Sequence, residues 1–224
     1  MTTDSEHMAM DYSESAAAER KAGDTKHDKP RWPHAQAWSV AKELLETFLP
    51  ACEPSYCVIA GSLRRRKETV GDIELLYIPR LQFRYDPADM FASVIANLAD
   101  DVIRYLEAVR ELERRKNILG RQSFGPENKL MLHRRSGIGV DLFSTLPECW
   151  WNYLVCRTGP AELNTEIARR AKARGWMWNP TGEGFSRPDG LGRESVRMNS
   201  EREVLEFVGF KYCEPWERHL LLQS

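Results

Sequence analysis

The sequence predicts an α+β fold, and three observations carry that expectation. Segments with apolar residues at helical spacing, such as "HAQAWSVAKELLETFL", flank short stretches that alternate apolar and polar residues, such as "GDIELLYI" and "IGVDLF". Beyond Pro147 the texture changes to a basic helix, a small hairpin and a capped terminal helix. With 224 residues, 42% hydrophobic and 29% charged, the chain is long enough to bury a sizeable core.

Residues 1 to 30 are nearly free of large apolar side chains and are expected to form a flexible tail. After "RWP", the residues Trp38, Ala41, Leu44, Leu45 and Phe48 recur at helical spacing, and Pro50 ends that helix. "YCVIA" reads as a buried strand stopped by Gly61. In "GDIELLYI", strand alternation puts Asp72, Glu74 and Leu76 on one face and Ile73, Leu75 and Tyr77 on the other.

The segment Pro87 to Lys116 carries Met90, Phe91, Val94, Ile95, Leu98, Val102, Ile103, Leu106, Val109 and Leu112, a pattern that predicts one long helix or two shorter ones. "KLMLH" and "IGVDLF" flank "RRSG" as strand, turn and strand, with Gly139, Asp141 and Phe143 on one face. "AELNTEIARRAKAR" is a helix closed by Gly175, and "WMWN" pairs with "GFSRP" as a hairpin. Ser200 and Glu203 form a capping box that opens a last helix.

Formal net charge is -1, from 32 basic and 33 acidic side chains, so any contact with nucleic acid must come from local patches. No apolar run approaches the roughly 18 residues of a spanning helix. The start of the chain is too acidic and polar for a signal peptide, so a cytoplasmic protein without a membrane partner is expected. Five cysteines with no C-x-x-C pair read as reduced thiols.

A strand running into Gly61 and Ser62 and then a short helix presents backbone N–H groups suited to phosphate oxygens, with Arg64, Arg65, Arg66 and Lys67 alongside. Taken alone, the segment reads equally well as a solvated basic turn. Asp72 and Glu74 sharpen the reading, because two carboxylates at i and i+2 repel unless cations lie between them. A third, Asp141, from another strand would complete a hard-oxygen site suited to magnesium. Two such ions about 3.5 to 4 Å apart suit an in-line displacement at phosphorus. That chemistry is nucleotidyl transfer.

The motifs "GSLRR", "GDIE" and "VDLF" resemble those of the family X DNA polymerases, the group of DNA polymerase β. "RTGPAELN" is similar to the family's Thr-Gly turn and thumb helix, and "YCEPWER" to its closing segment, with Tyr212, Glu214, Pro215 and Arg218 matched. The resemblance runs from about Arg31 to Arg218. It implies a nucleotidyltransferase palm over 31–146, a mixed β-sheet with flanking helices, followed by a small α/β thumb over 147–224.

It further implies that Asp72, Glu74 and Asp141 ligate two Mg2+ ions, with Mn2+ an alternative, and that Asp141 lies nearest the primer hydroxyl. Gly61, Ser62, Arg65 and Gly71, with Arg31, would hold the triphosphate. Thr158, Gly159 and Asn164 would support the incoming nucleotide. The implied partners are DNA, as primer-template or gapped duplex, and a nucleoside triphosphate, with the protein acting as a monomer in repair or gap filling.

The sequence departs from the family pattern in Glu74, where the family has aspartate, in Cys156 and Arg157, where it has an aromatic pair, and in Ala168, where it has an arginine. No room is expected before the palm for the family's lyase region. Grip on DNA then falls to Arg134, Arg135, Arg169, Arg170, Lys172 and Arg174. Trp150, Trp151, Trp176 and Trp178 are expected in the thumb core and His133 in a structural role. Two other functions stay open: transfer to RNA, protein or a small molecule, and a non-catalytic nucleic-acid-binding remnant.

Overall fold

The computed structural model describes residues 30–86, 89–117, 119–190 and 192–223, so all of the expected tail except Pro30 lies outside the described residues. From Arg31 onward the chain packs as one compact unit. Strand β1 (Trp32–Pro33) leads into helix α1 (His34–Phe48), which buries Ala37, Val40, Ala41, Leu44 and Phe48 along one stripe. Pro50, lacking an N–H, falls in the 3-10 turn Leu49–Ala51 that ends the helix. Trp38, expected in the core, lies beside the stripe; it is exposed and stacks on His34.

Strand β2 (Cys52–Ile59) has a register shift between Cys52 and Cys57, where Ser55 has a positive φ of 70°. It ends in the one-turn helix α2 (Gly61–Arg64). Strand β3 (Thr69–Val70) pairs with β1, and after Gly71 the chain enters β4 (Asp72–Pro79).

The next segment corrects the sequence reading. The first part of the segment expected as one long helix or two shorter ones is instead strand β6 (Asp89–Asn97), paired in a hairpin with β5 (Leu81–Asp86). Leu81, Phe83, Tyr85 and Ile95 share one face of this hairpin and stand exposed. Val94 and Ile95 fit both periods, and pairing with residues 81–86 decides between them.

Helix α3 (Leu98–Ala108) begins only after Asn97, whose side chain accepts hydrogen bonds from the N–H groups of Ala99 and Asp100. Val109 caps this helix, and Leu112 opens strand β7 (Leu112–Arg114). The two strands around "RRSG" are as expected, β8 (Asn128–His133) and β9 (Ile138–Ser144) in antiparallel pairing.

Five strands form one mixed sheet in the order β2-β4-β9-β8-β7, in which β4 and β9 run parallel and the other pairs antiparallel. Ile73, Leu75 and Tyr77 of β4 and Ile138, Val140 and Leu142 of β9 join α1 and α3 in the largest apolar cluster. The opposite face carries Leu76, Ile78 and Phe143, packed against Trp150, Tyr153 and Leu154 of helix α4 (Trp150–Thr158).

A third cluster unites α4, through Val155, with helix α5 (Ala161–Ala173), strand β11 (Gly184–Asp189) and helix α6 (Glu201–Phe207). Gly175, with φ +77°, donates to Lys172 O while Trp176 donates to Ala171 O, which closes α5. The expected hairpin gains an outer strand: β10 (Met177–Trp178) and β12 (Gly192–Arg197) both pair with β11.

Ser200 caps α6 by accepting from Glu203 N–H, but the Glu203 carboxylate reaches back to Asn199 N–H, one residue beyond the expected box. Trp176 and Trp178 pack on the third cluster, whereas Trp150 belongs to the sheet face. All five cysteines are free thiols. Among the described residues no helix is long and apolar enough to cross a membrane.

Candidate active site

The parallel pairing of β4 with β9 sets Glu74 opposite Asp141 and Asp72 opposite Gly139. Because side chains alternate across a strand, Asp72, Glu74 and Asp141 all project from the face away from the main core. The end of β2 is tied to the same place, since Ala60 N–H donates to Glu74 O at 2.8 Å.

Gly61 follows with φ +61°, and a Cβ there would overlap the Glu74 carboxylate. The extra methylene of glutamate thus carries its carboxylate beneath the Gly-Ser turn. Burial, then the charge of Asp72, raises the Glu74 carboxyl to about 8; Asp141 adds to the rise, and Arg157 and Arg65 oppose it.

Two neighbouring arginines meet at Thr158. Arg64 donates to Thr158 Oγ1 at 2.7 Å and to both carboxylate oxygens of Glu201. Arg65 donates to Thr158 O, and its guanidinium lies 3.1 Å from where a Gly159 Cβ would be. Burial lowers the Arg65 pKa, with Glu74 pulling the other way. Arg31 donates to Thr69 Oγ1 and Thr69 O at 2.9 and 2.6 Å. Arg31, Arg65, Arg66, Lys67, Trp216 and His219 contribute to the wall of an open, cation-rich cavity of about 620 Å3.

Asp141 is held from the β7 edge of the sheet, where Arg115 donates to its carboxylate. Among the described residues no group of three or more His, Cys, Asp or Glu side chains comes together to hold a metal ion. The donor chemistry nevertheless suits a hard divalent cation: three carboxylates share one face, and the Glu74 carboxyl, raised first by burial and then by the charges of Asp72 and Asp141, is one that a bound cation would help to ionise.

Residues 153–219 match the family model for the DNA polymerase beta thumb. The fold matches Leishmania infantum polymerase beta in its ternary P/T complex, with TM-score 0.62 and 18% identity over 84% of this chain and 77% of that one. The ternary gap complex of the same polymerase matches with TM-score 0.62 and 17% identity over 84% and 71%. The chain thus carries a thumb of the DNA polymerase beta type and has the fold of a polymerase beta palm and thumb. Among curated proteins, none matches its sequence.

In this polymerase-like frame the sheet is the palm, and the other expected residues can be located. Asn164, on the thumb helix α5, donates to Cys156 O at 2.8 Å, while its Oδ1 is buried without a hydrogen-bond partner. Thr158 is fully buried beneath the two arginines. Arg157, where the family pattern has an aromatic residue, lies 3.7 Å over the Phe143 ring and donates to Tyr153 Oη.

The basic residues fall into two groups on different elements. Arg134 and Arg135 sit in the turn after β8, paired with Glu113 and Glu43. Arg169 and Arg170 share Glu166 on α5, which also bears Lys172, and Arg174 donates to Phe207 O. His133 is buried against Ser136, as its structural reading expects. Arg115 and Glu201 escaped the sequence reading; a signal that could have found Arg115 is Gly139, a glycine within an apolar strand and two residues before an aspartate.

Proposed function

We propose that the protein is a DNA polymerase β-like nucleotidyltransferase that adds nucleoside monophosphates from nucleoside triphosphates to a DNA 3'-hydroxyl in repair or gap filling. The observation that carries this reading is the β4–β9 register, which aligns Glu74 with Asp141 beside the Gly61-Ser62 turn. Likeness to a polymerase beta crystallised as ternary P/T and gap complexes supports DNA as the substrate.

In this reading Asp72, Glu74 and Asp141 would hold two magnesium ions, which when bound supply Lewis-acid activation of the hydroxyl and neutralise the leaving pyrophosphate. Gly61 and Ser62 would offer backbone N–H groups, and Arg65 and Arg31 their guanidinium forks, to triphosphate oxygens. The bond from Arg65 to Thr158 O keeps one such fork fixed before substrate arrives. Gly71 would let the chain approach the phosphates, and Thr158, Gly159 and Asn164 would support the sugar and base. Asp141 would orient the 3'-hydroxyl. The two basic groups would bind DNA phosphates, with the palm over 31–146 and the thumb over 147–224.

Extension of a labelled primer on gapped and single-stranded DNA, with each nucleotide supplied separately, tests the reading. Wild type should extend and Asp141→Ala should not. Failure of the wild type and of Glu74→Asp with every DNA and with both magnesium and manganese would reject it.

A second reading, a nucleic-acid-binding remnant without turnover, is favoured by one observation: the Glu74 carboxylate lies beneath Gly61, and among the described residues the three carboxylates do not come together as a metal-holding group. It expects DNA binding but no extension, and Asp72→Asn should then change nothing.

A further inference from the structure

We infer that Arg115 is a positioning residue for Asp141 and that Gly139 is the slot that admits it; the inference rests on the nucleotidyl-transfer reading above. Arg115 follows β7, and its backbone N–H donates to Leu130 O at 3.0 Å, so its place along β8 is set by the ladder. From there the side chain crosses the β8–β9 pair. Its Nε donates to Met131 O at 3.1 Å and its Nη2 to Asp141 Oδ1. One guanidinium edge is thus fixed to the backbone while the other end holds the carboxylate.

The crossing needs an empty position. A Cβ on Gly139 would stand 3.2 Å from Arg115 Nε and 3.6 Å from its Cζ, so even alanine presses on the guanidinium and a branched side chain displaces it. Glycine weakens a strand interior through lost entropy and lost packing, and it commonly marks a close approach by another group. Here the approaching group is a charged side chain aimed at a proposed metal ligand.

The pair is well shielded, with 21% of the Arg115 side chain and 15% of the Asp141 side chain exposed. An ionised carboxylate has about four acceptor sites, so a guanidinium bond and coordination of a cation are not exclusive. What Arg115 supplies is orientation: Asp141 is held toward the catalytic face by a donor anchored to a neighbouring strand. A geometric error of about 1 Å at such a group can cost a hundredfold in rate.

Two measurements test this. In primer extension, Arg115→Ala should lower kcat by about a hundredfold while the nucleotide KM changes less than about threefold, and Arg115→Lys, which keeps the charge but not the fork, should recover only part of the loss. Gly139→Val, with Arg115 retained, should reproduce the kcat defect, and combining it with Arg115→Ala should add little.

Separately, in metal-free protein, a double-mutant cycle of Arg115→Ala with Asp141→Asn should show non-additive shifts in the thermal midpoint. Unchanged kcat in Arg115→Ala, or additive midpoint shifts, would overturn the inference. Should the wild type transfer no nucleotide, the functional reading fails on its own, and the metal-free cycle still decides the contact.

Discussion

Arg64 and Glu201 meet as a two-pronged ion pair, Nη1 to Oε1 at 2.7 Å and Nη2 to Oε2 at 2.6 Å. Residues 137 positions apart in the chain are thereby joined, and Arg218, fully buried, adds a second guanidinium 2.5 Å from Oε1. The palm turn that bears the proposed phosphate site is therefore tied to the thumb through one carboxylate.

Removing that carboxylate leaves two cations facing each other in a shielded place. Glu201→Ala should cost about 3 to 5 kcal/mol. Urea unfolding checks it; a loss below about 1 kcal/mol would mean the network is worth no more than an exposed surface pair.

The same network fixes an acid limit. Burial alone would raise the Glu201 carboxyl, but hydrogen bonds from Arg64 and the charges of Arg218 and Arg64 outweigh it and hold the group below the ordinary glutamate range. A carboxyl depressed on folding stabilises the protein above its unfolded pKa of about 4.3, and that stability is lost as pH falls through the lower folded value. The stability gap between wild type and Glu201→Gln, followed by urea midpoint, should be full at pH 6 and shrink steadily below about pH 4. A gap independent of pH would refute the linkage.

Gly61→Ala should destabilise for two separable reasons, a positive φ of 61° and overlap with the Glu74 carboxylate. A loss of about 2 kcal/mol or more is expected, since strained αL backbone alone costs about 1 to 3. Shortening Glu74 to aspartate in the same chain should recover part of the loss and leave the backbone share. Full recovery, or none, would mean that one of the two causes is absent.

Arg65 offers a kinetic test. If its fork binds triphosphate oxygens, Arg65→Ala should raise the nucleotide KM about tenfold, the equivalent of roughly 1.4 kcal/mol. Steady-state extension at varied nucleotide concentration measures it, and an unchanged KM would place the triphosphate elsewhere.

How much of this was legible in the sequence depends on the range of the interaction. Alternation in "GDIELLYI" and "IGVDLF" sorted the core face from the face that bears the carboxylates, because that pattern is written in neighbouring residues. The approach of Asp141 to Glu74 needed a parallel pairing across some 70 residues, which no local period encodes. The second strand of the hairpin, Asp89–Asn97, was misread as helix because its apolar residues suit two periods, and only a partner strand chooses. Arg115 drew no reading from its own neighbours, because its partner Asp141 and the space at Gly139 belong to another strand.

The same hairpin has a consequence for how the sequence can change. Its base is shut: Leu81 pairs with Asn97, and Leu98 N–H donates to Arg80 O at 3.0 Å. Arg80 and Leu98 therefore already sit at the distance of a tight turn, and the paired strands between them extend from that closure, held to α3 by the Asn97 cap and the Arg84–Asp101 ion pair. Such a segment can be lengthened, trimmed or exchanged in a single genetic step, and the strand that bears Asp72 and Glu74 need not shift to accommodate it.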